Sequence, residues 1–193
     1  IGLPNAGLQI LYEIINERPD AAAERSYAPW VDMEELLRRE GLPLFSVDTH
    51  KPAGEFDIIA FNLSAELTYT NLVNCIDLAG VPIHSARRAD ADPHIAVGGH
   101  CTYNPEPIAD FVDLVVLGDG EEVIGDITDL VGEWKCNGKN AGTREGLLRE
   151  LSKIEGVYVP SMYEVEYDDE FLAAVTPRYP DVPEKVEKRT VAD

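Results

Sequence analysis

The sequence predicts an α/β fold built on a parallel β-sheet. Three observations carry this reading. Phe56–Leu63 is a nearly continuous apolar run, the pattern of a strand covered by helices on both faces. Two further apolar runs end directly in glycine clusters, Ile95–Val97 in Gly98-Gly99 and Asp113–Leu117 in Gly118-Asp119-Gly120. Segments of helical period lie between these runs, and strands alternating with helices point to parallel strands joined by right-handed crossovers.

The elements follow in order. Leu8, Leu11, Tyr12 and Ile15 recur at helical spacing, so about Asn5 to Glu17 reads as an amphipathic helix. Glu24–Ala28 reads as a short strand stopped by Pro29. Asp32 is placed to cap a helix carrying Met33, Leu36 and Leu37 and ended by Gly41. Leu44–Val47 is a second short apolar run, and Lys51–Glu55 is a turn. After the Phe56–Leu63 strand, Leu72, Cys75, Ile76 and Ala79 mark a helix ended by Gly80. His94–Val97 and Asp113–Leu117 are strands, and Glu121–Trp134 is the next helix. Beyond it come a polar loop at Cys136–Gly142, a helix at Arg144–Ile154, and a hairpin-like pair at Val157–Val159 and Tyr163–Tyr167. The proline-rich, charged stretch from Thr176 reads as a linker. The domain division is therefore 1–135 for the α/β domain, 136–175 for a small α+β extension and 176–193 for the linker.

A chain of 193 residues suits one domain with an appendage, or at most two small domains. Its formal net charge of −20 argues against nonspecific nucleic-acid binding, which needs a cationic surface to release phosphate counterions. The acidity serves solubility, or else a partner with a basic face. The three cysteines, Cys75, Cys101 and Cys136, have no close spacing. They suggest neither a disulfide framework nor an iron–sulfur set, and side chains here offer no metal site. No apolar run approaches the roughly 20 residues that cross a bilayer, and no signal-peptide pattern is present. The chain reads as cytoplasmic. It opens at Ile1 on a loop-like stretch, so an upstream segment is expected.

In a parallel sheet, ligands sit beyond the C-terminal ends of the strands, and the polar and glycine-rich pieces fall there. Gly98 and Gly99 imply a tight turn or close approach to a large group, the plain alternative being a strand-to-loop turn. Gly118 to Glu122 is a glycine turn followed by an acidic helix start. That start suits the helix dipole and would repel a phosphate. Neither cluster is a GxGxxG or a P-loop. Asn104-Pro105-Glu106-Pro107 is a rigid turn around one carboxylate. Ser64, Glu66, Tyr69, Thr70 and Asn71 form a polar run, the plain alternative being helix capping by Thr70 or Asn71. Asp48-Thr49-His50 invites comparison with the cobalamin signature DxHxxG, but its glycine, Gly54, comes one residue late and the segment precedes the wrong strand.

Together the segments resemble one family. Gly7–Tyr12, Tyr27–Glu34, Pro43–Ser46, Phe56–Ile58, Glu66–Asn71, Gly98-Gly99 through Pro107, Ala109–Phe111, Gly118–Glu122 and Gly156–Pro160 occur in its order. This is similar to the N-terminal region of bacterial B12-binding-domain radical SAM proteins. The resemblance implies a Rossmann-like domain of flavodoxin-like strand order 2-1-3-4-5, whose first strand lies upstream of Ile1. It implies a downstream radical SAM barrel as partner, carrying a [4Fe–4S] cluster and binding S-adenosylmethionine. Gly2 looks equivalent to the DxHxxG glycine. Asn62 stands where the family of cobalamin domains favours Ser, and His100 where Pro is usual.

The resemblance implies a cobalamin along the C-terminal edge, bound without a protein imidazole. Gly98 and Gly99 would admit its nucleotide tail. Asn62, Ser64 and Glu66 would line the other wall, Gly118, Asp119, Gly120 and Glu121 would close the site, and Asn104 and Glu106 would stand on the same edge. The fragment alone would be catalytically inactive. The rival reading is a degenerate structural module that caps the barrel or recruits substrate without cobalamin. A free-standing flavodoxin-like domain is disfavoured, because no Ser/Thr-rich phosphate loop follows a strand.

Overall fold

The structure, a computed structural model, describes residues 5–136, 142–169 and 171–191. Gly2 and most of the polar loop after Cys136 lie outside these residues. The architecture is a four-stranded sheet flanked by helices, with a separate two-stranded ribbon. The main sheet holds β1 (Ile58–Asn62), β2 (His94–Gly98), β3 (Leu114–Val116) and β4 (Val157–Tyr158) in that spatial order. The first three strands are parallel, as expected. β4 adds antiparallel to β3, pairing Val115 with Tyr158. The ribbon is β5 (Tyr163–Asp168) with β6 (Phe171–Pro177). The expected pairing of 157–159 with 163–167 is thus corrected. The first joins the main sheet and the second pairs with the chain that follows it.

The helices are α1 (Ala6–Asn16), α2 (Val31–Glu40), α3 (Tyr69–Leu78), α4 (Gly120–Cys136) and α5 (Arg144–Leu151). Asn5 caps α1 by accepting from the Leu8 amide at 3.0 Å. α2 starts one residue before the expected cap. Trp30 stands at the cap position without a side-chain bond, and Asp32 lies in the first turn with Glu34, where carboxylates suit the helix dipole. Gly41 ends α2 in the left-handed region at φ 65°. Thr70 and Asn71 lie inside α3 and do not cap it. Thr68 precedes the helix and turns its hydroxyl back to the Ala65 carbonyl at 2.6 Å.

Glu24–Ala28 is not a strand. The segment is irregular and tied by isolated bonds, Val47 N to Arg25 O at 2.7 Å and Ser26 Oγ to Phe45 O at 2.9 Å. A single backbone bond builds no ladder, and Asp48 accepts from both the Arg25 amide and its guanidinium.

Burial also departs from expectation. β1 carries the longest apolar run, yet Ala60 and Asn62 are exposed and its other residues half-buried. β1 is an edge strand, so fewer neighbours cover it. β2 is central, and His94, Ile95, Ala96 and Val97 are all buried. The core gathers Leu72, Cys75 and Ile76 of α3, Val123, Ile127 and Val131 of α4, and Leu147 and Leu151 of α5. α1 and α5 both pack on α4.

The stretch from Thr176 does not leave the domain. Val182 is buried and Val186 partly so. The Tyr163 hydroxyl donates to Pro183 O at 2.9 Å, and Arg189 forms a parallel bridge with Gly118. Among the described residues no helix is long and apolar enough to cross a membrane.

Candidate functional site

Parallel strands deliver their following loops to one edge, and the register fixes which residues meet there. Asn62 pairs with Gly98, and Val97 pairs with Val115 one residue before the end of β3. The Leu63 amide donates to Gly98 O at 2.7 Å and the Cys101 amide to Leu63 O at 3.1 Å. Thr102 is buried beneath this edge. Its hydroxyl lies 2.7 Å from Gly99 O, just past β2, and 2.9 Å from Val116 O at the end of β3, so one proton is shared between the two carbonyls.

Asn62, Ser64, Glu66, Gly99, Asn104, Gly118, Asp119 and Glu121 are exposed, while Gly98, Glu106 and Gly120 are half-buried. Asn62, Ser64, Gly98 and Gly99 meet directly, with Ser64 Oγ 3.5 Å from Asn62 Oδ1. Leu67 and Tyr103, in the loops after β1 and β2, are 90% and 60% exposed. Glu106 is engaged elsewhere. It accepts from the Tyr158 hydroxyl at 3.0 Å, and burial, with Glu106 beside it, pushes that phenol's pKa up.

Each glycine has a local reason. Gly99 has φ 109°, and a Cβ there would stand 2.6 Å from Asn62 Oδ1 and 2.7 Å from Leu63 O. Gly118 has φ 100°, and a Cβ would overlap the Arg189 carbonyl oxygen and lie 2.8 Å from Arg189 N. A Cβ on Gly120 would press on Leu11 Cδ2 at 3.2 Å, where α1 meets α4. Gly98 has room, its nearest contact being Val116 Cβ at 3.9 Å. The chain itself thus fills the space on the Cβ side of Gly99 and Gly118.

The acidic start of α4 has a partner too. Arg189 reaches Glu122 at 2.9 Å and Asp126 at 2.5 Å. Asp119 accepts from the Val191 amide at 3.0 Å. The strap that carries Arg189 and Val191 is therefore clasped at the end of β3, on the same edge as the glycine loops.

The opposite end of the sheet holds a cluster that the sequence reading missed. Asp113, just before β3, accepts at one oxygen from Arg88 at 2.7 Å, the Ile95 amide at 2.7 Å and Arg144 at 3.1 Å. Arg88 also donates to Pro82 O, Ile83 O and Phe111 O, and Arg144 to Ala89 O, Asp92 O and Pro93 O. All three side chains are buried. Burial pulls the Arg88 pKa below its ordinary value, against the attraction of Asp113. His94, beside them, packs edge-on against Trp134 at 5.9 Å. Burial pushes its pKa down to about 4, with repulsion from Arg144 adding. A charged residue directly before an apolar run was the visible signal, but its partners lie 25 and 31 residues away.

Among the described residues, no three His, Cys, Asp or Glu side chains gather to hold a metal ion. Cys75 is buried, and burial raises its thiol to about 11, which holds it as the unreactive thiol. His50 lies in a turn at φ 63°, its ring edge-on to Phe45.

No curated protein and no solved structure matches the chain. Residues 7–160 match the family described as radical SAM proteins, N-terminal. That span runs from α1 through the three parallel strands to the end of β4, so the chain belongs to the radical SAM N-terminal family.

Proposed function

We propose that this domain is a docking module of a radical SAM protein, turning the C-terminal edge of its sheet toward the catalytic domain that follows it. On this reading it has a cobalamin-type shape without a working nucleotide cradle. The observation that carries the reading is the filling of Gly99 by Asn62 and Leu63 and of Gly118 by Arg189. A large cofactor needs an open concave seat, and these approaches are already used. The exposed Leu67 and Tyr103 support a protein-facing role, since apolar groups left bare at one edge suit an interface. The bond from the Val191 amide to Asp119 holds the strap at that same edge. The iron–sulfur cluster and S-adenosylmethionine would belong to that following domain, as would the reaction.

A specific observation favours a second reading, cobalamin binding across the outer rim. Asn62, Ser64, Glu66 and Asn104 stay exposed next to Leu67 and Tyr103, a mixed polar and apolar surface that a ring-shaped cofactor could use. Titrating the full-length protein with hydroxocobalamin separates the two. The docking reading expects no saturable change in the visible spectrum. A stoichiometric shift that is lost on Asn62→Leu would overturn it in favour of cobalamin.

A further inference from the structure

The β5–β6 ribbon has two chemically different faces. Side chains alternate along each strand, so Tyr163, Val165 and Tyr167 share a face with Pro177, Val175 and Leu172, their partners across the ribbon. Glu164, Glu166 and Asp168 stand on the other face. Between Glu166 and Tyr167 the register shifts, with Ala173 as the extra residue, so the apolar alignment is kept to the tip.

Coverage of the apolar face stops midway. At its base Tyr163 is buried and Val175 packs against the core, and Arg178 Nε donates to Tyr163 O at 3.0 Å. Toward the tip Tyr167 is 59% and Leu172 51% exposed, while Phe171, paired with Asp168, lies on the acidic face. A two-stranded ribbon is marginal in water unless a face is packed. The same apolar face that joins the core at one end is bare at the other. Residues 163–177 carry five carboxylates and no Lys or Arg. That charge disfavours a second copy of this acidic chain, an anionic membrane and nucleic acid alike.

We propose that the outer half of this ribbon is a docking arm whose Tyr167–Leu172 face seats on an apolar groove with a Lys/Arg rim in the radical SAM domain of the same protein. The assignment rests on the docking reading above and names a second contact for it. The core continues across the ribbon into the catalytic domain, and the outward acidic face is reached from the sides by the long side chains of the basic rim, which sets the ribbon's orientation.

The test uses the full-length protein with Tyr167 replaced by the photo-reactive p-benzoylphenylalanine. Irradiation should cross-link the ribbon to residues of the catalytic domain within one polypeptide. Adding Leu172→Ser should lower that yield about tenfold, as expected for truncating one buried anchor. Leu172 is exposed in this domain, so its loss should leave the domain's melting unchanged. A second variant, Glu164→Lys/Glu166→Lys, should lower the yield at low salt more than at high salt, because screening removes the rim contribution. Cross-links only to a second copy, only to other proteins, or none at all would overturn the proposal. The hydroxocobalamin titration is independent of this outcome, so failure of the arm and failure of the cofactor-free reading are distinguishable.

Discussion

At the N-terminal end of the sheet, Arg88, Asp113 and Arg144 are buried and paired, and together they close seven backbone carbonyl and amide partners. At the C-terminal end of the same strands, glycines in unusual conformations sit under exposed Asn62, Ser64 and Glu66. The two ends share strands and core but not design. The first end spends its charges on holding α5 and the turn before β2 in place. The second keeps its charges and amides near water, where they can meet something else. Catalytic and binding loops on a rigid scaffold commonly show this division. It means that substitutions at the two ends should read out in different experiments.

The largest effect should follow Asp113→Ala. It leaves two buried guanidinium groups without their shared carboxylate, and removing one partner of a buried pair costs about 3–5 kcal/mol. Urea unfolding should show a lower midpoint with little change in slope. A loss below about 1 kcal/mol would break the contrast, making the cluster no more than a surface pair.

His94 sharpens the same end through pH. Its folded pKa of about 4 lies below the unfolded value of about 6.5, so the unfolded chain binds more protons in that window. Stability contributed by the neutral ring is full above pH 6.5 and is lost as pH falls toward 4. The loss should reach about 3 kcal/mol, at 1.36 kcal/mol per unit. His94→Gln should flatten the stability profile between pH 6.5 and 4, measured by urea midpoints at fixed ionic strength.

Smaller effects belong to the other end. Gly99→Ala and Gly118→Ala each place a side chain at positive φ against backbone atoms, at a cost of about 1–3 kcal/mol. Gly98→Ala, with room for its Cβ, should stay within about 0.5 kcal/mol. Thermal melting of the three variants reads this ordering directly. If Gly99→Ala melts like Gly98→Ala, the local explanation for Gly99 is wrong. The smallest change in melting should come from Leu67→Ser, at most about 0.5 kcal/mol, because the side chain is already in water. In the full-length protein that variant should nonetheless speed limited proteolysis after the strap, as the docked edge loosens.

Legibility in the sequence varied with the range of the forces involved. The strands at 56–63, 94–97 and 113–117 were readable because each is centred on an apolar run and stopped by glycine or a polar loop. The α1, α2 and α3 stripes were readable from spacing, α4 and α5 from their place in the chain, and Gly41 and Gly80 ended their helices as read. Glu24–Ala28 misled, because a short mixed run carries strand propensity but no signal of a partner. β4 was misassigned for the related reason that Val157–Tyr158 is equally apolar whether it pairs with β3 or with Tyr163–Tyr167. The glycine clusters follow β2 and β3, whose parallel direction was legible from the alternation of strands and helices. What fills them was not legible, because Arg189 lies 71 residues beyond Gly118 and no local pattern connects them.

The sequence by itself therefore determined the α/β class, the three parallel strands and the edge where their loops gather, because periodicity and chain direction are local properties. Tertiary structure alone decided that the strap returns to clasp β3, that Arg88 and Arg144 converge on Asp113, and that the apolar face of the ribbon outruns the core. Those outcomes depend on which distant groups satisfy each buried charge, each backbone amide and each unfilled space once the chain has closed.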